Sequence, residues 1–191
     1  IYNGSLVAGG DFATFDSGGL DHHLARFGNG AWRTLALGVD GPVSALAVFD
    51  GSLVAAGASE NIDLVTRASH IARLTSDTWS AIGVGLANGE TGAVVRALSI
   101  VGADLVAGGD FMRAALLPAR HVARWDGVEW SALGSGTDGP VAALVAYGGG
   151  TVAGGNFTHA GATAAAFVAA FVGAQWSPLQ STAVLVSDVS A

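Results

Sequence analysis

"HVARWDGVEWSALG" occupies residues 121–134, and three near-copies of it lie elsewhere in the chain. They read "HLARFGNGAWRTLALG" from His23, "HIARLTSDTWSAIG" from His70 and "FVAAFVGAQWSPLQ" from Phe167. Each carries one anchoring tryptophan, Trp32, Trp79, Trp130 and Trp176, at spacings of 47, 51 and 46 residues. A second phrase precedes each copy: "LVAGG" at Leu6, "LVAAG" at Leu53, "LVAGG" at Leu105 and "TVAGG" at Thr151. Its spacings are 47, 52 and 46. Two independent anchors with matching periods define an internal repeat, and such a period marks an array or a propeller.

One period, residues 41–84, divides into four short strands. "PVSALAVF" is apolar and partly β-branched, and forms strand a. Asp50-Gly51 supplies the tight turn, since both residues accept positive φ. "SLVAAG" is strand b. A polar loop leads to "HIARL", strand c, and "TSD" turns the chain into "TWSAIG", strand d. In strand c, Leu24, Ile71, Val122 and Val168 alternate with Ala25, Ala72, Ala123 and Ala169. Both faces are apolar or small, as in a sheet sandwiched between neighbours rather than one with a wet face. The glycine pairs Gly9-Gly10, Gly108-Gly109 and Gly154-Gly155 end strand b where backbones crowd. Four antiparallel strands per period of about 46–52 residues predict an all-β chain built as a β-propeller.

The boundaries follow: a partial blade over 1–40, full units over 41–92, 93–138 and 139–181, and a possible closing strand over 182–191, all in a single domain. The chain opens on strands b, c and d. If "TAVLVSDVSA" supplies strand a of the first unit, the ring closes with four blades. The alternatives are a segment of a larger ring and a strand lent to another chain. The chain begins at Ile1, which fits either a removed leader or a piece of something longer.

Composition narrows the class. The chain has 191 residues, 51% of them hydrophobic and 12% charged, which excludes disorder. The longest apolar run, Ala164 to Ala174, is too short to span a bilayer as a helix, so no membrane insertion is expected. A net charge of −7 with no lysine argues against nucleic acid and against anionic membrane surfaces. With no cysteine, disulfide and thiol chemistry are absent.

A hydrophobic strand ending in Gly-Gly, then an aromatic, then a tryptophan resembles the kelch repeat, and Gly109, Trp125 and Trp130 show it best. The phrase "ARWDG..W..LG.G.DGPV.AL" is also similar to kelch-like repeats of large secreted and surface proteins. The resemblance implies a propeller used for interaction or structure, outside the cell or on its surface. It departs from the pattern at Ala56-Gly57 and at Leu74, which replaces the aromatic. Trp125-Asp126 is not a WD40 signature, because the Gly-His partner is missing. A kelch-like copper-radical oxidase would need Cys and Tyr ligands, and only Tyr2 and Tyr147 are present.

Candidate sites are weighed against packing roles. The four tryptophans recur in every unit and read as packing anchors before sugar-stacking platforms. His23, His70 and His121 share one repeat position with Phe167, which reads as a structural slot rather than a metal site; strand spacing keeps the three too far apart for one ion. Asp11 and Asp110 follow the glycine pairs while Arg26 and Arg124 lie one strand over, so an ion pair within each blade is expected, with Glu60 serving Arg73. Asp40-Gly41-Pro42 and Asp138-Gly139-Pro140 read as turn chemistry. No nucleophile with base and orienter, no paired carboxylates and no phosphate loop stand out, so no enzyme and no cofactor are expected.

The variable loops, 12–22, 59–69, 85–91 and 112–120, are where function is expected on a repeated scaffold. "SENIDLVTRAS" is the most polar, and Glu60, Asn61, Asp63 and Arg67 are its candidate contact residues. The expected partner is a protein or copies of this chain. The alternative, a carbohydrate-binding propeller, requires exposed loop aromatics, for which Phe12, Phe15 and Phe111 are the candidates.

Overall fold

The computed structural model describes residues 1–13, 22–36, 38–62, 66–88 and 92–179. The chain divides into two compact units, 1–85 and 86–191. Among the described residues all regular structure is β.

In the first unit, β1 (Leu6–Gly9), β2 (Leu24–Gly28) and β3 (Ala31–Thr34) form a three-stranded antiparallel sheet. It corresponds to strands b, c and d. β4 (Val43–Phe49) and β5 (Ser52–Gly57) follow as strands a and b. Then come a short hairpin, β6 (Asn61–Ile62) with β7 (Thr66–Arg67), and strands c and d, β8 (Ile71–Thr75) and β9 (Thr78–Ala81). The sheet order is β4-β5-β8-β9, fully antiparallel.

The second unit opens on β10 (Leu86–Ala87). Strands a and b are β11 (Val94–Val101) and β12 (Asp104–Asp110), and the short hairpin is β13 (Arg113–Ala114) with β14 (Leu117–Pro118). Strands c and d are β15 (Val122–Trp125) and β16 (Trp130–Ala132). The last repeat runs through β17 (Val141–Tyr147), β18 (Gly150–Gly155), the hairpin β19 (His159–Ala160) with β20 (Thr163–Ala164), then β21 (Val168–Val172) and β22 (Gln175–Pro178). Both four-stranded sheets here have the order a-b-c-d and are antiparallel. Repeated four-stranded antiparallel sheets are compatible with a β-propeller-like fold. The expected closing strand over 182–191 lies outside the described residues.

Turn chemistry sets the strand boundaries. The a–b turn Asp50-Gly51 has φ of 46° and 69° at its two residues, and Asn3-Gly4 and Gly148-Gly149 repeat the sign pattern. Positive φ at both central residues gives the turn twist that matches the strands. In each four-stranded sheet strand a carries a bulge at its start, between Val43 and Ala45, Val95 and Ala97, and Val141 and Ala143. The second glycine of strand b sits opposite it. A Cβ on Gly57, Gly109 or Gly155 would lie 2.0, 2.1 or 2.2 Å from the carbonyl oxygen of Pro42, Val94 or Pro140. The first glycine meets side chains instead: a Cβ on Gly9 or Gly108 would lie 2.6 Å from Cγ1 of Val43 or Val141. Ala56 takes this first position in the second repeat and is buried.

Strands b and c hold the core. Leu24, Ala25, Ile71, Ala72, Val122 and Ala123 are all buried, so both faces of strand c are covered. Each anchoring tryptophan lies opposite the same repeat position of strand c: Phe27 with Trp32, Leu74 with Trp79, Trp125 with Trp130 and Phe171 with Trp176. The three aromatic pairs are tilted or edge-on, with centroids 5.1–5.4 Å apart, the geometry that ring quadrupoles favour. Trp79, Trp130 and Trp176 are buried. The Trp176 indole donates to the carbonyl of Leu133 at 2.9 Å and so ties the last sheet to the one before it. Tyr2 does the same in the first unit, donating to the carbonyl of Leu74 at 3.0 Å.

Among the described residues the first sheet has no strand a, and its apolar residues are less covered. Leu6 is 52% exposed and Phe27 40%, whereas the matching Leu53, Leu105 and Trp125 are buried.

Candidate functional site

The b–c connection, read in the sequence as a polar loop, is a structured element. In three repeats it folds into a short hairpin that pairs with the segment leading into strand a. Val39 bridges Ile62, β10 pairs with β13, and Thr137 bridges Ala160.

The aspartate of each Asp-Gly-Pro turn clamps this hairpin. Asp40 Oδ1 accepts the backbone N–H groups of Glu60 and Asn61 at 2.9 Å each, and Oδ2 accepts the Asn61 amide at 2.6 Å. Asp138 repeats the arrangement, with Oδ1 accepting from the N–H groups of Thr158 and His159 at 2.8 Å each. Its Oδ2 accepts from the Thr158 hydroxyl at 2.6 Å and lies 3.1 Å from His159 Nδ1. Partial burial pushes the Asp138 carboxyl up, but hydrogen bonds from Thr158 and His159 outweigh it and hold the group well below the usual carboxylate range. These aspartates do more than shape a turn: each joins two connections that lie about 20 residues apart in sequence.

The histidine slot closes the same element from the other side. His23, His70, His121 and Phe167 have φ of 67°, 72°, 64° and 68°. This left-handed conformation costs non-glycine residues about 1–2 kcal/mol, yet all four repeats keep it. The residue's backbone bonds twice across the connection. His121 N–H donates to Phe111 and its carbonyl accepts from Gly109; His70 does so with Ser59 and Gly57, and Phe167 with Phe157 and Gly155. The slot therefore pairs with the second glycine. His70 and His121 are buried, and among the described residues their Nδ1 atoms have no hydrogen-bond partner. Burial lowers both imidazole pKa values below 6.5. The opposing pull comes from Glu60, Asp40 and the Ala58 carbonyl at His70, and from Asp110, Asp138 and the Gly109 carbonyl at His121. Arg67 and Arg120 add to the lowering. The Asp110 carboxylate stands 3.8 Å from His121 Nδ1, beyond hydrogen-bond reach.

Two sequence expectations are corrected. The ion pairs run elsewhere: Arg124 pairs with Asp104 at 3.2 Å and Arg26 with Asp77 at 4.0 Å, while Arg73 donates to the Ser80 hydroxyl at 3.3 Å. Register explains this. Arg124 lies opposite Val106 and Arg73 opposite Val54, nearer the a–b turn than the glycine pair, so Asp110 and Glu60 sit at the wrong end of the strand. The loop aromatics needed for sugar stacking are not free either. Phe111 is fully buried, Phe12 is half-buried, and Phe15 lies outside the described residues.

Of the candidate contact residues, Glu60 and Arg67 are exposed, Asn61 is committed to Asp40, and Asp63 lies outside the described residues. The hairpin β13–β14 has a different character. Leu116 and Leu117 are 78% and 53% exposed between the exposed arginines Arg113 and Arg120, and Met112, just before Arg113, is 41% exposed. The sequence signal for its exposed character is "FMRAALLPAR", an apolar run within the variable loop 112–120. Among the described residues no three His, Asp or Glu side chains converge as metal ligands.

No protein-family model matches the chain, and no curated protein matches it in sequence.

Proposed function

We propose that the repeated sheets are blades of a kelch-like β-propeller and that the protein is a non-catalytic interaction or assembly module, outside the cell or on its surface. It binds a protein partner or copies of itself through the outer hairpins. One observation carries this reading. Three hairpins at one repeat position share a backbone scaffold and present different side chains: polar at Glu60 and Arg67, apolar and basic at Met112–Arg120, and small at Ala160–Thr163. A rigid frame with interchangeable tips is the construction of a binding surface.

The test is a peptide-display selection against the folded protein, with binders mapped by hairpin variants. Binders lost on E60A/R67A or on L116S/L117S, in variants of unchanged circular dichroism, support the reading. Binders indifferent to all hairpin variants overturn it.

A further inference from the structure

We infer that the β13–β14 hairpin docks on the turn between β15 and β16 of a second copy of this chain, so that copies join head to tail. This rests on the interaction reading above and names the partner.

The hairpin is a basic, apolar surface on an acidic protein. Arg113 and Arg120 are exposed and make no ion pair among the described residues. Between them lie Leu116 and Leu117, the most exposed leucine pair in the described chain, with Met112 alongside. Exposed apolar side chains clustered on one tip mark an interaction site, where scattered ones would not.

The complementary surface lies in the same repeat. Residues 126–129 read Asp-Gly-Val-Glu and form the turn joining β15 to β16. Val128 is 83% exposed at its apex, and Glu129 is exposed beside it. The turn is rigid, because Asp126 Oδ1 accepts the N–H groups of Val128 and Glu129 at 2.8 Å each. The Asp126 carboxyl is consequently held below its usual range by those two hydrogen bonds. An ionised, apolar, pre-ordered knob thus matches a basic, apolar tip in charge and in chemistry. The other turns at this position, Asn29-Gly30 and Gly173-Ala174, carry no acid, and Asp77 faces Arg26.

Within one copy the two surfaces are separated along the sheet. Strand β15 runs from the hairpin end of its sheet to the turn end, a separation of roughly 13 Å at strand rise. The two surfaces lie at opposite ends of β15, and both are exposed to a second copy. A contact between unlike patches is heterologous and propagates instead of closing as an isologous dimer does. The area is small, so the association is weak and concentration-dependent.

The experiment is sedimentation velocity over a wide concentration range on wild type, R113E/R120E and E129R, alone and mixed. Wild type shows an average mass that rises with concentration. Each variant alone associates about tenfold less tightly, because like charges now meet across the contact. The mixture of the two variants associates again, since the reversed tip of R113E/R120E meets the reversed turn of E129R and the native tip of E129R meets the native turn of R113E/R120E. A wild type that stays at monomer mass throughout overturns the inference, as does undiminished association of the single variants. A mixture that fails to recover overturns it too. Display-selected binders that still map to the hairpins would then leave the interaction reading standing with a different partner.

Discussion

Gly108 and Gly109 are adjacent and chemically identical, and they answer to different constraints. A methyl on Gly109 would collide with the Val94 carbonyl, a backbone atom pinned by the bulge, while one on Gly108 would meet only the end of the Val141 side chain. Gly109→Ala is therefore expected to cost about 3 kcal/mol in denaturant unfolding and Gly108→Ala about 1 kcal/mol. Equal costs would mean that the bulge yields. The tryptophans separate in the same way. Trp176 has a hydrogen bond through its indole to Leu133, whereas the Trp79 indole nitrogen is buried without a partner among the described residues. Both Trp→Phe changes lose ring volume, but W176F also strands the Leu133 carbonyl, so it should exceed W79F by about 1 kcal/mol. Sequence showed that the tryptophans and glycines recur. It did not show which member of each pair is indispensable, since that depends on the atom standing opposite.

At the scale of the element, the b–c hairpin is held by an aspartate on one side and the left-handed slot on the other. Asp138→Asn keeps the shape but weakens the acceptor. Amide exchange at Thr158 and His159 should then accelerate by about tenfold, the size of one or two weakened hydrogen bonds. Exchange in β18 and β21 should be unchanged. The histidines predict a pH response. Folded His70 and His121 titrate below 6.5, so the unfolded chain takes up protons first as pH falls. Stability is full above about pH 6.5 and declines below it until the folded rings protonate. Asp138 acts in a lower window: its folded pKa is depressed, so its contribution is present above the unfolded value of 3.8 and fades as pH falls beneath it. Melting temperatures measured from above to below pH 6.5 test the histidine window. The double variant H70F/H121F should flatten the curve, because Phe167 already fills the slot with the same φ. An unchanged slope would place the acid sensitivity elsewhere. The sequence announced the slot through its His-His-His-Phe series. It gave no sign of the hairpin, whose two-residue strands lack any alternation to detect.

At the scale of the whole molecule, stability and surface chemistry are carried by different residues. The cores around Leu24, Leu74 and Trp79 in the first unit, and around Val122, Phe157 and Trp176 in the second, contain none of the exposed tip residues. L116S/L117S should therefore leave unfolding free energy within about 0.5 kcal/mol of wild type while abolishing contacts made by that hairpin. A large loss of stability would show that the tip packs where it looks free.

The repeat period, the approximate bounds of the four main strands, the tight turns and the two-sided burial of strand c were determined by the sequence alone. Each depends on residues near one another along the chain, and four copies of the pattern reinforce the signal. The partners of Arg26, Arg73 and Arg124, the clamping by Asp40 and Asp138, and the burial of Phe111 were decided only by the tertiary structure. Strand register selects which charged groups stand level with each other, and a shift of a few residues moves an arginine from one end of a sheet to the other. Contacts between connections about 20 residues apart depend on how the strands between them pair, which no local pattern encodes.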